Sequence, residues 1–415
     1  MIKNYLKVAL KVLARRKFFT FISLFGICLT LLVLMVVSAI VDHALAPHSP
    51  ETRSDRTLGI YRLSMRGPEN QQGSQPGYGF LDRYARRLAA LPQVERFSIA
   101  STNQTAVSYL GGKKIESELR RTDGEFWQIL DFEFLEGGPF APEAEKNAQF
   151  VAVINEATRR RFFGGQPALG RTIEVDGQRF RVVGVVRDVS ILRDSSFADI
   201  WVPISTAKSS TYKEQWMDSF IALIMARDRA DLPVIKAEFQ AILRDAEHHL
   251  PDPKNYQTLT AGADTLFEGN VRKSMDDDVP PGRVKALAFL LMLLFMLLPS
   301  LNLVNINLSR ILDRASEIGV RKAFGASSRA LVGQFVVENL VLTLIGAMAG
   351  LVLAGLVLGA LNASGLLPYA QLTLNYRIFF YGLAMALIFG VLSAIYPAWR
   401  MSKLHPVQAL RGRSV

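Results

Sequence analysis

Charge is placed along this chain in a way that leaves few folds open. Phe18–Val41 runs for 24 residues without an acidic or basic side chain, Ala286–Ser309 for 24, Asn339–Leu361 for 23 and Ile378–Trp399 for 22. An apolar helix crosses the hydrocarbon layer of a bilayer in about 20 residues. Lipid offers backbone N–H and C=O groups no partners, so a crossing segment must satisfy them within its own helix. The sequence therefore predicts four transmembrane α-helices, over residues 18–41, 284–309, 330–361 and 378–399. Between the first two lies a polar insert, residues 42–283, and between the last two a short uncharged loop within residues 362–377.

The formal net charge is +11, and its location sets the topology. Residues 1–17 hold Lys3, Lys7, Lys11, Arg15, Arg16 and Lys17 and no acid. Residues 310–329 hold Arg310, Arg314, Arg321, Lys322 and Arg329 against Asp313 and Glu317. The tail, residues 400–415, holds Arg400, Lys403, Arg411 and Arg413 and no acid. Residues 18–283, by contrast, carry 31 basic and 34 acidic side chains. Positive charge beside membrane spans stays in the cytoplasm, so both termini and the 310–329 loop are expected there and the insert on the far side. The basic edges suit anionic lipid headgroups. Since no basic face remains elsewhere, nucleic acid is not expected as a partner. Ala44-Leu45-Ala46 has the look of a cleavage site, but the first apolar core exceeds the about 7–15 residues of a signal peptide and reads as a retained anchor. Cys28, inside that core, is the only cysteine, so the insert must fold without a disulfide; its roughly 240 residues suffice for that.

Within residues 1–17 the lysines recur every fourth position while Leu6, Leu10 and Leu13 face elsewhere. A helix lying on the inner membrane surface and a plain basic flank both fit. In the insert, Pro47–Asp55 and the Gly/Gln-rich stretch Gly67–Gly79 read as loops, and Asp276–Pro281 as an acidic linker. Phe80–Leu91 and Leu232–His249 read as helices, Ala152–Ile154 and Val182–Val186 as buried strands. Asp176-Gly177, between alternating apolar residues, reads as a hairpin turn. The insert is thus expected to be an α+β domain of two lobes. In the third span Gly346 and Gly350, then Gly355 and Gly359, repeat at the four-residue spacing that lets helix backbones approach. That face serves either packing within the bundle or contact with a second subunit.

Catalytic constellations are missing. His43, His48, His248, His249 and His405 have no second ligand at a helical metal spacing, and Asp276, Asp277 and Asp278 read as a solvated linker. Gly111-Gly112-Lys113-Lys114 lacks the spacing of a phosphate loop. No catalytic, cofactor or metal residue is therefore assigned, and ATP, if used, binds elsewhere. Glu338, the lone acid in the third apolar stretch, reads as a helix-end partner of a nearby cation.

The loop after the second span is the most specific segment: Arg314-Ala315-Ser316-Glu317-Ile318-Gly319-Val320-Arg321-Lys322-Ala323-Phe324-Gly325-Ala326. Glu317 and Arg321 are spaced to pair along a helix, Gly325 to stop it, and Ser327 or Ser328 to start the next. Physically the segment is either a solvated connector or a short charged helix fit to dock a partner. With Gln334, Phe335 and Glu338, it resembles the signature of the MacB/FtsX family of ABC transporter permeases. Tyr396-Pro397-Ala398-Trp399-Arg400 and Pro406–Arg411 resemble that family's C-terminal end. Val153–Glu156, Phe162-Phe163-Gly164, Val182–Val186 and Trp201-Val202-Pro203 resemble its extracytoplasmic domain.

The resemblance implies a permease subunit in a bacterial inner membrane, both termini cytoplasmic, dimeric with a second identical or related permease. It implies an ATPase, carrying ATP and Mg on a separate subunit, docked on Glu317, Ile318, Gly319, Arg321, Lys322, Phe324, Gly325 and Ala326. A periplasmic adaptor and an outer-membrane channel are further partners of such systems. The implied function is export of a drug, peptide or lipid-linked substrate through motion of the extracytoplasmic domain. The alternative is a non-transporting transducer that controls a periplasmic hydrolase or a sensor kinase.

Overall fold

The computed structural model describes residues 17–274, 282–294 and 327–402, and residues 11, 13–15, 280, 320 and 324 besides. The chain divides into two compact units. One comprises residues up to Asp42, Lys285–Leu366 and the chain from Leu372; the other comprises His43–Val284 together with the five residues Leu367–Gln371.

The first unit is helical. Helix α1 spans Lys17–Leu45, and residues 282–294 are helical as the chain leaves the second unit. Among the described residues, α1 and the stretch Val332–Ser364 are long and apolar enough to cross a membrane, and Tyr376–Leu392 is a shorter apolar segment. Residues 295–309, the rest of the expected second span, lie outside the described residues. Ser327 caps the long helix Ser328–Ser364 by accepting from the Ala330 N–H, and Gly365 ends it at φ +67°. Ile27, Leu31, Leu34 and Met35 of α1 pack with Leu342, Ala347, Ala354 and Phe379. Phe18, Phe21 and Phe25 stay exposed, the arrangement apolar solvent favours.

The second unit is mixed α/β. Its large sheet has ten strands: β1 (Thr57–Ile60), β4 (Val94–Ser101), β5 (Gln104–Leu110), β6 (Lys113–Thr122), β7 (Phe134–Gly137), β8 (Val151–Asn155), β9 (Thr172–Val175), β10 (Gln178–Val186), β11 (Ile200–Pro203) and β13 (Phe220–Ala226). The order is β1-β13-β4-β6-β11-β8-β10-β7, with β5 on β6 and β9 on β10. A second sheet, β12-β3-β2-β14, joins β2 (Leu63–Arg66), β3 (Gln71–Pro76), β12 (Met217–Asp218) and β14 (Thr258–Ala261). Every residue of β8 and β13 is buried, as the apolar runs Val151–Ile154 and Phe220–Ala226 require, and Asn155, the polar end of β8, is buried with its side chain hydrogen-bonded. Helix α2 (Glu156–Phe163) follows β8 and is capped by the Asn155 side chain. Helix α3 (Leu232–Glu247) buries Leu232, Ile235, Phe239, Ile242, Leu243 and Ala246, one stripe at helical spacing. Helix α4 (Leu266–Ser274) closes the unit. The long helix Ser328–Ser364 is α5, and Tyr376–Ser402 is α6.

Asp176 and Gly177 turn the β9–β10 hairpin at φ +51° and +73°, the left-handed pair that a two-residue hairpin demands. Two sequence expectations need correction. Gly67–Gly79 is not all loop: it contains β3, held between β2 and β12 by backbone bonds despite its Gln- and Gly-rich composition. Phe80–Leu91 is not one helix: it divides into an α-turn at Tyr78–Arg83 and a 3-10 turn at Ala85–Ala90.

Candidate functional site

Of the residues assigned to partner docking, only Phe324 is described, with its ring exposed; Glu317, Ile318, Gly319, Arg321, Lys322, Gly325 and Ala326 lie outside the described residues. The glycines of α5 are not equivalent. A Cβ on Gly346 would sit 3.0 Å from the Ile27 side chain, and one on Gly350 3.0 Å from the Cys28 carbonyl and 3.2 Å from Leu31 Cβ. One on Gly355 would meet Leu374 at 3.5 Å, and Gly359 faces open space. Glu338 is buried and accepts from Gln334 Nε2 at 2.9 Å, one turn away along α5.

A second constellation is built inside the α/β unit, where pieces of chain adjoining the apolar stretches meet the irregular segment 187–199. From the side that follows α1, Glu51 pairs with Arg193 at 3.0 Å and accepts from Ser196 Oγ at 2.8 Å, and the Ala46 carbonyl accepts from Arg193 Nη2 at 2.9 Å. Arg193 and Glu51 are 2% and 5% exposed, so water screens neither charge. From the loop between α5 and α6, the Pro368 carbonyl accepts from the Ile191 N–H at 3.1 Å. Tyr369 donates its hydroxyl to Asp199 Oδ1 at 2.9 Å, its ring 6.2 Å from Phe197. From the side that leads toward the second apolar stretch, Leu266, Gly269 and Asn270 of α4 line a small cavity with Leu192, Asp194, Ser195 and Tyr61.

The large sheet anchors this hub through Arg120 of β6, which is wholly buried. Its guanidinium donates to the carbonyls of Asp194 (2.5 Å), Ser195 (3.0 Å) and Phe197 (3.2 Å) and to Asn103 Oδ1 (3.1 Å). A planar fork with five donors serves these four acceptors at once, one more than the three donors of a lysine ammonium allow. Burial pushes Arg120 down to about 10, which leaves it cationic at neutral pH. Burial pushes the Glu51 carboxyl up, against the pull of Arg193 and Ser196. Burial and then the Asp199 charge push Tyr369 up to about 12, so its hydroxyl remains a donor. Asp199 itself accepts from Asn155 Nδ2 and the Glu118 N–H, both at 3.0 Å, which fixes it at the start of β11.

Tyr369 sits at φ +58°, a region that bulky residues avoid at a cost of about 1–3 kcal/mol and occupy only where surroundings over-determine them. At the stem of its loop, the Asn362 side chain bonds the Leu372 backbone in both directions at 2.9 Å. The polar groups of the hub bond to one another. Sequence reading passed over all of it. Arg120 adjoins Arg121 and looks like surface; it departs from strict alternation, Leu119 and Arg120 both being buried. Glu51 lies in a loop-like stretch, and nothing local marks Tyr369.

Residues 20–242 match the family model of the MacB-like periplasmic core domain, and residues 289–406 that of the FtsX-like permease C-terminal. The chain is 26% identical over 408 residues to the pyoverdine export ATP-binding/permease protein PvdT of Pseudomonas syringae pv. syringae, covering 98% of this chain and 59% of that protein. It is 24% identical over 324 residues to the macrolide export ATP-binding/permease protein MacB of Bdellovibrio bacteriovorus, covering 77% and 47%. It is 22% identical over 314 residues to the ABC transporter permease YknZ of Bacillus subtilis, covering 75% and 74%. The chain thus spans about three-fifths or less of the two ATP-binding/permease relatives and a larger share of the permease alone.

Proposed function

The chain belongs to the MacB/FtsX family of ABC transporter permeases, and from that premise we propose that it couples ATP hydrolysis on a partner ATPase subunit to movement of its α/β unit in the periplasm, driving export. The observation that carries this reading is the five-residue loop Leu367–Gln371. It belongs to the α/β unit although both its flanks are apolar helices, and Tyr369 and Pro368 tie it to the segment that Glu51 holds from the other side. Displacement of α5 and α6 therefore pulls on the same buried hub as displacement of α1. Interface helix shifts of about 1–2 Å suffice to switch packed proteins. Export is favoured over signalling by the relatives named for export of pyoverdine and of macrolides.

In this reading Glu317, Ile318, Gly319, Arg321, Lys322, Phe324, Gly325 and Ala326 receive the ATPase, ATP and Mg bind on that partner, and the protein sits in the inner membrane as a dimer. A periplasmic adaptor and an outer-membrane channel would complete an export path. Glu317→Lys, a charge reversal inside the docking segment, is expected to abolish stimulation of the partner ATPase in proteoliposomes while membrane insertion stays at the level of the unaltered chain. Full stimulation in that variant would remove the docking role from the segment.

A further inference from the structure

A cleft with about 670 Å³ of open space lies on the α/β unit. Its walls come from β6 (Arg121), the start of β5 (Gln104), the β9–β10 turn (Asp176), the 207–215 segment (Lys208 and Tyr212) and β13 (Phe220). Arg121 is half-buried and donates Nη1 to Gln104 Oε1 at 2.7 Å. Among the described residues no carboxylate lies within ion-pair distance of it. Its Nε is buried with no acceptor. Asp176, the acid whose charge reaches it, is held back by accepting from the Val107 N–H at 2.8 Å. A half-buried guanidinium without a counter-ion is costly, and such groups are ordinarily paired. Lys208 adds an exposed second cation to the wall. Tyr212 stacks on Phe220 with centroids 5.8 Å apart and planes 26° apart, which gives the wall an aromatic surface.

We infer that this cleft binds a small molecule bearing one carboxylate beside an aromatic or flat apolar group, the carboxylate pairing with Arg121 and the ring lying along Tyr212. Asp176 and Asp218 also line the cleft without pairing with Arg121, so they repel a polyanion, and a single carboxylate, alone or beside an amine, is the charge that fits. Direct bonding to a guanidinium already partly desolvated gives the ligand a charge-assisted pair without the full cost of dehydrating the cation. The site goes beyond the permease reading, since occupancy requires neither ATP nor an ATPase. It also supplies what that reading lacks, a place where cargo chemistry can be distinguished.

The test is ligand-observed saturation-transfer NMR on the full chain in detergent, with N-acetylphenylalanine and N-acetylphenylalanine amide as matched probes. The acid is expected to bind, and the amide to bind about tenfold more weakly for loss of the charge-assisted pair. Arg121→Gln is expected to erase that preference, with the near-ultraviolet circular dichroism of the aromatic core reporting that the variant is folded. Lys208→Glu alters an exposed side chain and leaves the core intact; it is expected to weaken the acid about threefold and leave the amide unchanged. Equal binding of acid and amide overturns the proposal. So does acid binding that neither variant changes, whatever Arg121→Gln does to folding. Neither outcome touches ATPase stimulation, so failure here and failure of the permease reading are separable.

Discussion

Arg193 and Glu51 pose the sharpest energetic question at the scale of single residues. Two charges out of water attract strongly, but removing them from water costs several kcal/mol each, so the pair is not in itself a source of stability. Breaking it is a different matter, because the remaining charge stays buried. Glu51→Gln keeps the shape and loses the counter-charge, and is expected to destabilise the α/β unit by about 3 kcal/mol. Thermal unfolding of the full chain, followed through the aromatic circular dichroism, measures this. The double replacement Glu51→Leu with Arg193→Met should recover most of the loss, since no orphan charge remains. A single variant as stable as the parent would mean that water reaches the pair. None of this was legible in the sequence, and the reason is physical. A carboxylate after Pro50 and an arginine among serines are the composition of a solvated turn. Their burial is decided by segments 142 and 145 positions apart in sequence, and local pattern carries no trace of such contacts.

Among the elements, legibility followed periodicity. The apolar stripe of α3, the unbroken apolar run of β8 and the Asp176-Gly177 turn each carry their structure locally. β3 does not: Gln71, Gln72 and Gly73 have low strand preference, and neighbours on both edges supply the pairing. The glycine pairs of α5 were visible as a pattern, while what they face was not. Gly350 sits against α1 with its would-be Cβ 3.0 Å from the Cys28 carbonyl, whereas Gly359 meets nothing within 4 Å. Backbone cannot yield as a flexible side chain does, so Gly350→Leu must part α1 from α5, at a cost of about 1–3 kcal/mol. Gly359→Leu fits without strain within the chain. If Gly359 faces a second copy, the substitution should leave the monomer's melting temperature alone and lower the yield of a cross-linked dimer. Measured side by side, the two variants separate packing within one chain from packing between chains. Equal loss of thermal stability in both would dissolve the distinction.

At the scale of the whole molecule the decisive quantity is still the placement of charge. The excess of basic residues lies in residues 1–17, 310–329 and 400–415, while residues 18–283 are slightly acidic. The positive-inside rule then predicts the α/β unit on the far side of the membrane from those segments. A protease added outside reports on this directly, provided its target is a true loop. The stretch Gly67–Gly79 fails that condition, because β3 is paired on both edges. The β5–β6 hairpin meets it: Gly111 and Gly112 turn at φ +56° and +79°, and Tyr109, Leu110, Lys113 and Lys114 around them are exposed. Loop tips that hold no buried backbone unfold locally at little cost and are the preferred sites of nicking. Trypsin added to intact spheroplasts is therefore expected to cut after Lys113 or Lys114 before it cuts after Arg66, the one trypsin site in β2 and β3. The two fragments should stay associated, since β5 pairs with β6 along its whole length and β6 pairs with β11. Cleavage at that tip only after lysis would put the unit in the cytoplasm. The loop Leu367–Gln371 would then lie on the same side as the segment meant to receive the ATPase, and α5 and α6 would have no membrane across which to carry a displacement.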